Sequence, residues 1–194
     1  DYLDKSVASA QSLDSREYLV AVILFSLFIE HVSLFSLFLV IISFNKYRNI
    51  FKGISNVIES TSKEEELHGQ FGIDLVNTVR NEKPEWFDKE LKDKIVKACM
   101  ESYESEEIVI DWIYEKGDLD FMPKANVKEY VKHRLNNSLE AIGYERIFDV
   151  DESLLEITEF MDDELISTKH VDFFMKRSIN YTKRSRSITS DDLF

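Results

Sequence analysis

The chain has 194 residues, of which 44% are hydrophobic, and carries a net charge of −13. This length supports one domain with a substantial core, and the acidic balance argues against a phosphate-binding groove for nucleic acid. Only 5 Gly and 2 Pro interrupt the sequence, so we expect an all-α fold with short connections. A single cysteine, Cys99, fits a reducing compartment, and we expect a cytoplasmic protein.

The most apolar stretch runs from Tyr18 to Ile42 and has Glu30 and His31 at its centre. A helix of this length would cross a bilayer, so a small non-catalytic membrane protein is one alternative. A carboxylate at the bilayer centre costs roughly 2.5 to 3.5 kcal/mol, however, and serines recur along the same stretch. We therefore favour no membrane association and expect a helix buried on all sides in a bundle, where Glu30 needs a partner.

A polar break near Arg48 precedes a second segment of helical periodicity that extends to about Arg80. Together the two segments predict an antiparallel helical hairpin. The second arm contains Glu65 and His68, the one Glu-x-x-His in the sequence, and residues three apart share a helix face. At ~1.5 Å rise per residue, Glu30 and this pair both lie ~27 Å from the bend and therefore come level.

Carboxylates and imidazoles bind first-row metals, and carboxylate sites in helical bundles combine one Glu with a Glu-x-x-His from another helix. The pattern therefore predicts that Glu30, Glu65 and His68 are metal ligands. Two alternatives stay open: Glu30 is a buried acid paired with a lysine or with His31, and His68 is a core histidine. We interpret His31 as a packing or supporting residue and Glu66 as a solvated acid.

Several segments together resemble one known family. They are the Glu30 helix, the Glu-Glu-Glu-Leu-His-Gly segment ending at Gly69, residues 111–118 (DWIYEKGD), residues 130–143 (YVKHRLNNSLEAIG) and the C-terminal tail. With these features the sequence resembles the small, radical-generating subunit of class I ribonucleotide reductase, a ferritin-like dimetal protein. The resemblance extends over essentially all 194 residues.

The resemblance implies a dinuclear iron or manganese centre, to which Glu30, Glu65 and His68 contribute half of the ligands. It also assigns supporting positions. Glu64 is the implied acidic residue beside the ligands, and Leu34 and Phe38 are the implied apolar residues around the radical site. In the tail, Tyr181 is the implied radical relay to the large subunit. The extreme C-terminus is the implied docking peptide for that subunit: Asp191, Asp192, Leu193 and Phe194.

The remaining carboxylates and the second histidine of the family pattern are missing from the sequence. The resemblance therefore implies the C-terminal half of a small subunit: an incomplete ferritin-like bundle over residues 1–172 and a flexible tail over residues 173–194. Such a chain would be inactive alone. With a complementary N-terminal half it would form a homodimer that reduces ribonucleotides together with the large subunit. A half-chain of another ferritin-like dimetal oxidase is the alternative. The interval from Glu30 to Glu65 is one residue longer than in some members of the family, so either the turn or a helical bulge accommodates the extra residue.

Overall fold

A continuous helical rod over residues 15–48 forms the centre of the fold. The computed structural model describes Val7, Gln11 and residues 14–161. Within the rod, helix α1 covers Ser15–Val22, the π-helix π1 covers Ile23–Ser33, and helix α2 covers Leu34–Arg48.

Three further long helices pack around this rod: α3 (Lys52–Glu82), α4 (Lys89–Ile113) and α5 (Lys124–Ala141). Short 3-10 turns at Pro84–Trp86, Glu152–Leu154 and Glu156–Thr158 complete the chain up to residue 161. Residues 14–161 contain no β-strand. The all-α prediction is confirmed, and the architecture is consistent with a ferritin-like helical bundle.

Local sequence signals account for the helix boundaries. The Asp14 carboxylate accepts the backbone N–H of Arg16 at the start of α1, and Asp88 accepts that of Leu91 at the start of α4. Asn49 ends α2 in the left-handed conformation, with φ 57°, which asparagine adopts more readily than most residues. The predicted hairpin bend near Arg48 is therefore confirmed.

The apolar side chains of the rod supply much of the core. Ile23, Leu27, Phe28 and Val32 of π1 are fully buried. The rod is long and apolar enough to cross a membrane. Its most apolar window has a mean hydropathy of 2.2, and half of that window is buried inside the protein. The expectation of burial on all sides is wrong, because Tyr18 is 54% exposed.

The π-helix is much longer than the single-turn bulges in which this geometry usually occurs. At its end the backbone N–H of Leu34 donates to the carbonyl of Ile29, five residues earlier. The Ser33 hydroxyl also donates to a carbonyl five residues earlier, that of Phe28, at 3.0 Å. Because the wider helix changes the direction of each successive side chain, π1 determines where Glu30 points.

Two glycines bring α3 close to π1. A Cβ atom on Gly72 would lie 2.2 Å from the Cβ atom of Ser26, and one on Gly69 would lie 3.0 Å from the His31 ring. Real side chains essentially never approach to 2.2 Å, so the observed packing at residue 72 requires glycine. This close approach places the Glu65 and His68 turn of α3 beside Glu30.

A buried carboxyl group on α4 supports the junction between π1 and α2. Glu106 is 8% exposed, and its Oε2 lies 2.8 Å from the Ser36 hydroxyl, which itself lies 2.8 Å from the carbonyl oxygen of Ser33. A hydroxyl has one proton, so both contacts are satisfied when protonated Glu106 donates to Ser36 and Ser36 donates to Ser33. Burial raises the pKa of Glu106, and the neighbouring Ser33 and Ser36 hydroxyls lower it by less. The net upward shift favours the neutral form.

We expect Glu106→Gln to raise the free energy of unfolding at about pH 8 and to leave it almost unchanged at about pH 4. The folded-state pKa of Glu106 lies above its ordinary value of 4.5. The wild type is therefore less stable once the pH has risen from 4.5 to above the folded-state pKa. Glutamine keeps a donor and an acceptor but cannot ionise. Urea unfolding at the two pH values, monitored by circular dichroism, measures the difference.

Glu104→Gln, at an exposed position on the same helix, is the matched control and should show no such dependence on pH. Equal destabilisation of Glu106→Gln at both pH values would contradict the neutral assignment of Glu106.

Candidate metal centre

Three side chains from two helices converge beside the hairpin interface. Glu30 comes from π1, and Glu65 and His68 come from α3. One ligand atom from each lies within 4.8 Å of the others, and Nδ1 of His68 lies 3.0 Å from Oε2 of Glu65. The structure thus brings together the three residues that the sequence pattern predicts to be ligands.

The cluster is covered on one side and open on the other. The Glu65 side chain is 19% exposed and that of His68 is 59% exposed, while Glu30 is half-buried. The protein interior therefore lies behind the carboxylates, and the imidazole faces outward.

The three groups influence one another's ionisation. Burial raises the pKa of Glu30, the His68 charge lowers it, and the nearby Glu65 carboxylate raises it again. The hydrogen bond to Glu65 raises the pKa of His68, and the charges of Glu65, Glu30 and Glu64 act in the same direction. The two carboxylates thus create a local field that stabilises a cation.

The donor set fits a first-row transition metal. Two carboxylates and one imidazole match the ligand preference of iron and manganese. Atoms that share one such ion lie up to about 4.4 Å apart, because each bond is about 2.0 to 2.2 Å long. The separation of at most 4.8 Å is therefore close to that of a coordinating set, and the open side leaves room for further ligands.

The supporting residues implied by the resemblance differ in their surroundings. Glu64 is exposed on α3 next to the cluster, and Leu34 is half-buried against the core. Phe38 is 7% exposed, and its ring centroid lies 5.6 Å from that of Phe35 in an edge-to-face contact. Their roles at a radical site stay predictions. Tyr181 and the docking residues Asp191, Asp192, Leu193 and Phe194 lie outside the described residues.

A buried arginine that the sequence pattern did not single out lies behind the cluster. Arg134 of α5 is 5% exposed and donates from Nη2 to Oε2 of Glu66 at 3.1 Å. Although burial raises the pKa of Glu66, its contacts with His31 and Arg134 outweigh this effect and lower the pKa to about 2. The interpretation of Glu66 as a solvated acid is therefore wrong. Arg134 lies four residues after Tyr130 and four before Ser138, on the buried face of α5. This helical spacing is the sequence feature that could have predicted its burial.

Exposed apolar side chains lie along the side of α3 that carries His68. The apolar spacing in residues 54–79 correctly predicts a helix, but many of these side chains face away from the described core. They are Ile54 (50% exposed), Val57 (63%), Leu67 (70%), Phe71 (68%) and Leu75 (36%). We call this set the open face of α3. Glu64 lies three residues before Leu67, and His68 lies three residues before Phe71, so both are on the same side of the helix as the open face of α3.

Sequence comparison places these features in a family. The family described as ribonucleotide reductase, small chain, matches residues 1–154. The chain is 26% identical over 181 residues to a ribonucleoside-diphosphate reductase subunit beta of Chlamydia pneumoniae. The aligned region covers 93% of the chain and 51% of that protein. It is also 26% identical over 171 residues to a probable ribonucleoside-diphosphate reductase small subunit of Invertebrate iridescent virus 3. This second aligned region covers 88% of the chain and 44% of that protein.

The chain thus spans about half the length of the relatives it matches. The matched region contains the rod, the hairpin and the whole Glu30, Glu65 and His68 cluster. On this evidence, the chain belongs to the ribonucleotide reductase small chain family.

Proposed function

We propose that this chain supplies Glu30, Glu65 and His68 to the dinuclear iron or manganese site of a ribonucleoside-diphosphate reductase small subunit. The observation that carries the proposal is the approach of these three ligand atoms to within 4.8 Å in a member of this family. The donor types suit the metals, and each residue comes from the helix that the bundle-core pattern requires.

The remaining ligands, in this proposal, come from a complementary N-terminal half of the small subunit. The open face of α3 supports this assignment, since several large apolar side chains exposed on one helix face are typical of an interaction site. A covering segment would bury Leu67 and Phe71 and would also enclose His68. The relatives have about twice the length of this chain, which is enough for further helices.

The residues of the cluster have defined tasks in this proposal. Glu30 and Glu65 bind as ionised carboxylates, and His68 binds as a neutral imidazole. The closely packed glycines of α3 fix the separation of the two ligand-bearing helices. The metal pair, when bound, supplies the one-electron oxidising equivalent for ribonucleotide reduction.

The C-terminal tail completes the proposal. Tyr181 relays the radical, and Asp191, Asp192, Leu193 and Phe194 dock on the large subunit, as the family resemblance implies. We further propose a cytoplasmic small-subunit homodimer that is inactive without its complementary half. A related dimetal oxidase is the second candidate, and a tail without affinity for the large subunit would favour it.

We expect Glu65→Ala and His68→Ala to weaken metal binding by more than about 100-fold, because loss of a residue that supports a ligand already costs about 10- to 100-fold. The measurement is a titration with Mn²⁺ or Fe²⁺ of the chain combined with the candidate N-terminal half. Mn²⁺ binding is followed by the electron paramagnetic resonance signal of the free ion.

Glu82→Ala and His133→Ala are matched controls outside the cluster and should bind metal as the wild type does. Circular dichroism checks that every variant is folded. Wild-type metal loading in Glu65→Ala or His68→Ala would remove the ligand assignment.

For Tyr181, we expect replacement by phenylalanine to leave the metal content intact and to stop nucleotide reduction, because phenylalanine keeps the ring but lacks the phenol that holds the radical. Metal analysis and turnover with the large subunit measure the two effects. Tyr18→Phe, at an exposed position on α1, is the control. Normal turnover of Tyr181→Phe would refute the relay role.

A further inference from the structure

The residue that follows each carboxylate of the cluster is held by the same arginine. His31 follows Glu30, and Glu66 follows Glu65. Arg134 donates from Nε to the backbone carbonyl of His31 at 2.6 Å and from Nη2 to the Glu66 carboxylate at 3.1 Å. One guanidinium on α5 therefore connects π1 with α3 immediately beside Glu30 and Glu65.

This guanidinium is held firmly in place. The Arg134 side chain is 6% exposed, and its Cζ lies 3.8 Å from the centroid of the Phe35 ring. A planar, buried guanidinium that stacks on an aromatic ring and donates in two directions has little freedom to move. Its position therefore constrains the two helices that it contacts.

A second side chain of α5 holds the same segment of π1. The Ser138 hydroxyl donates to the carbonyl of Leu27 at 3.2 Å and lies 2.9 Å from Nδ1 of His31, from which it can accept a hydrogen bond. Arg134 and Ser138 are four residues apart, as are the carbonyls of Leu27 and His31 that they bind. The side chains of α5 thus bond to the π-helix on both sides of Glu30.

We propose that Arg134 is a positioning residue of the metal half-site: by holding the His31 carbonyl and the Glu66 carboxylate together, it sets the separation and orientation of Glu30 and Glu65. This inference rests on the proposed metal-binding function. It assigns to α5, which contributes no ligand among the described residues, control over the geometry of the site. Arg134 acts through its neighbours and does not itself touch the metal.

The two contacts predict that lysine cannot replace arginine. Lysine keeps the positive charge for Glu66, but a single ammonium group does not reproduce the planar fork that also reaches the His31 carbonyl. We expect Arg134→Lys and Arg134→Met each to weaken Mn²⁺ binding about 10- to 100-fold, the range for residues that orient metal ligands. The complete, metal-binding small subunit is titrated, and the electron paramagnetic resonance signal of free Mn²⁺ reports binding.

A double variant separates positioning from charge balance. Arg134→Met alone leaves the Glu66 charge without its partner, which can unfold the protein, whereas Arg134→Met with Glu66→Gln removes both charges. If Arg134 served only to neutralise Glu66, the double variant would bind Mn²⁺ with wild-type affinity. We expect affinity to stay about 10- to 100-fold weaker, because the His31 carbonyl has still lost its donor.

Two controls distinguish positioning from general loss of stability. Ile95 of α4 is fully buried, so Ile95→Ala creates a cavity in the protein core. This variant should lower the melting temperature without changing Mn²⁺ affinity more than about twofold. Arg146→Met removes an exposed arginine that pairs with Glu140 and should change neither property. Wild-type affinity in the folded double variant, or equal loss of affinity in Ile95→Ala, would overturn the proposal.

Hydrogen exchange separates this inference from the proposed function. Backbone amides of residues 23–34 should exchange faster in the Arg134 variants than in Ile95→Ala, whether or not metal is present. If the wild type binds no metal, the proposed function fails, and exchange in residues 23–34 alone decides whether Arg134 holds π1. If the wild type binds metal and the Arg134 variants match it in affinity and exchange, the positioning role fails.

Discussion

Glu30 places a carboxylate in the middle of an apolar helical rod, so polar groups of neighbouring helices have to lie near it. Burial of an unpaired carboxylate costs several kcal/mol, so the rod cannot pack against apolar groups alone at this position. The π-helical segment Ile23–Ser33 carries Glu30, and the glycines of α3 allow the second helix to approach closely enough for Glu65 and His68 to reach it. The hairpin thus brings the His68 imidazole and the Glu65 carboxylate to within 4.8 Å of the Glu30 carboxylate.

The π-helix that presents Glu30 is supported by polar side chains from two helices. On one side, Arg134 and Ser138 of α5 bind the carbonyls of His31 and Leu27. At the end of π1, buried Glu106 of α4 interacts with Ser36, which contacts the carbonyl of Ser33. Buried polar networks of this kind are costly when incomplete and rigid when satisfied. These contacts therefore help to hold the π-helix in one geometry around Glu30.

Rigidity on the inner side of the cluster contrasts with exposure on its outer side. The open face of α3 presents Leu67 and Phe71 to solvent around an imidazole that is itself 59% exposed. Such a surface has the apolar character of an interface that another segment covers. A metal site divided between two segments would form only when they meet, so metal loading and assembly would depend on each other.

The sequence by itself determined the helical fold, the hairpin bend and the level pairing of Glu30 with Glu65 and His68. These features follow from local periodicity, from turn residues such as Asn49 and from the fixed rise of a helix, none of which requires knowledge of distant contacts. The sequence allowed either a changed turn or a helical bulge, and it predicted neither the position of the π-helix nor its length of eleven residues. Only the tertiary structure decided that Arg134 pairs with Glu66 and Glu106 with Ser36, because the members of these pairs are 68 and 70 positions apart in the sequence. It also decided which apolar side chains of α3 stay exposed, since a periodic pattern shows that a face exists but not what covers it.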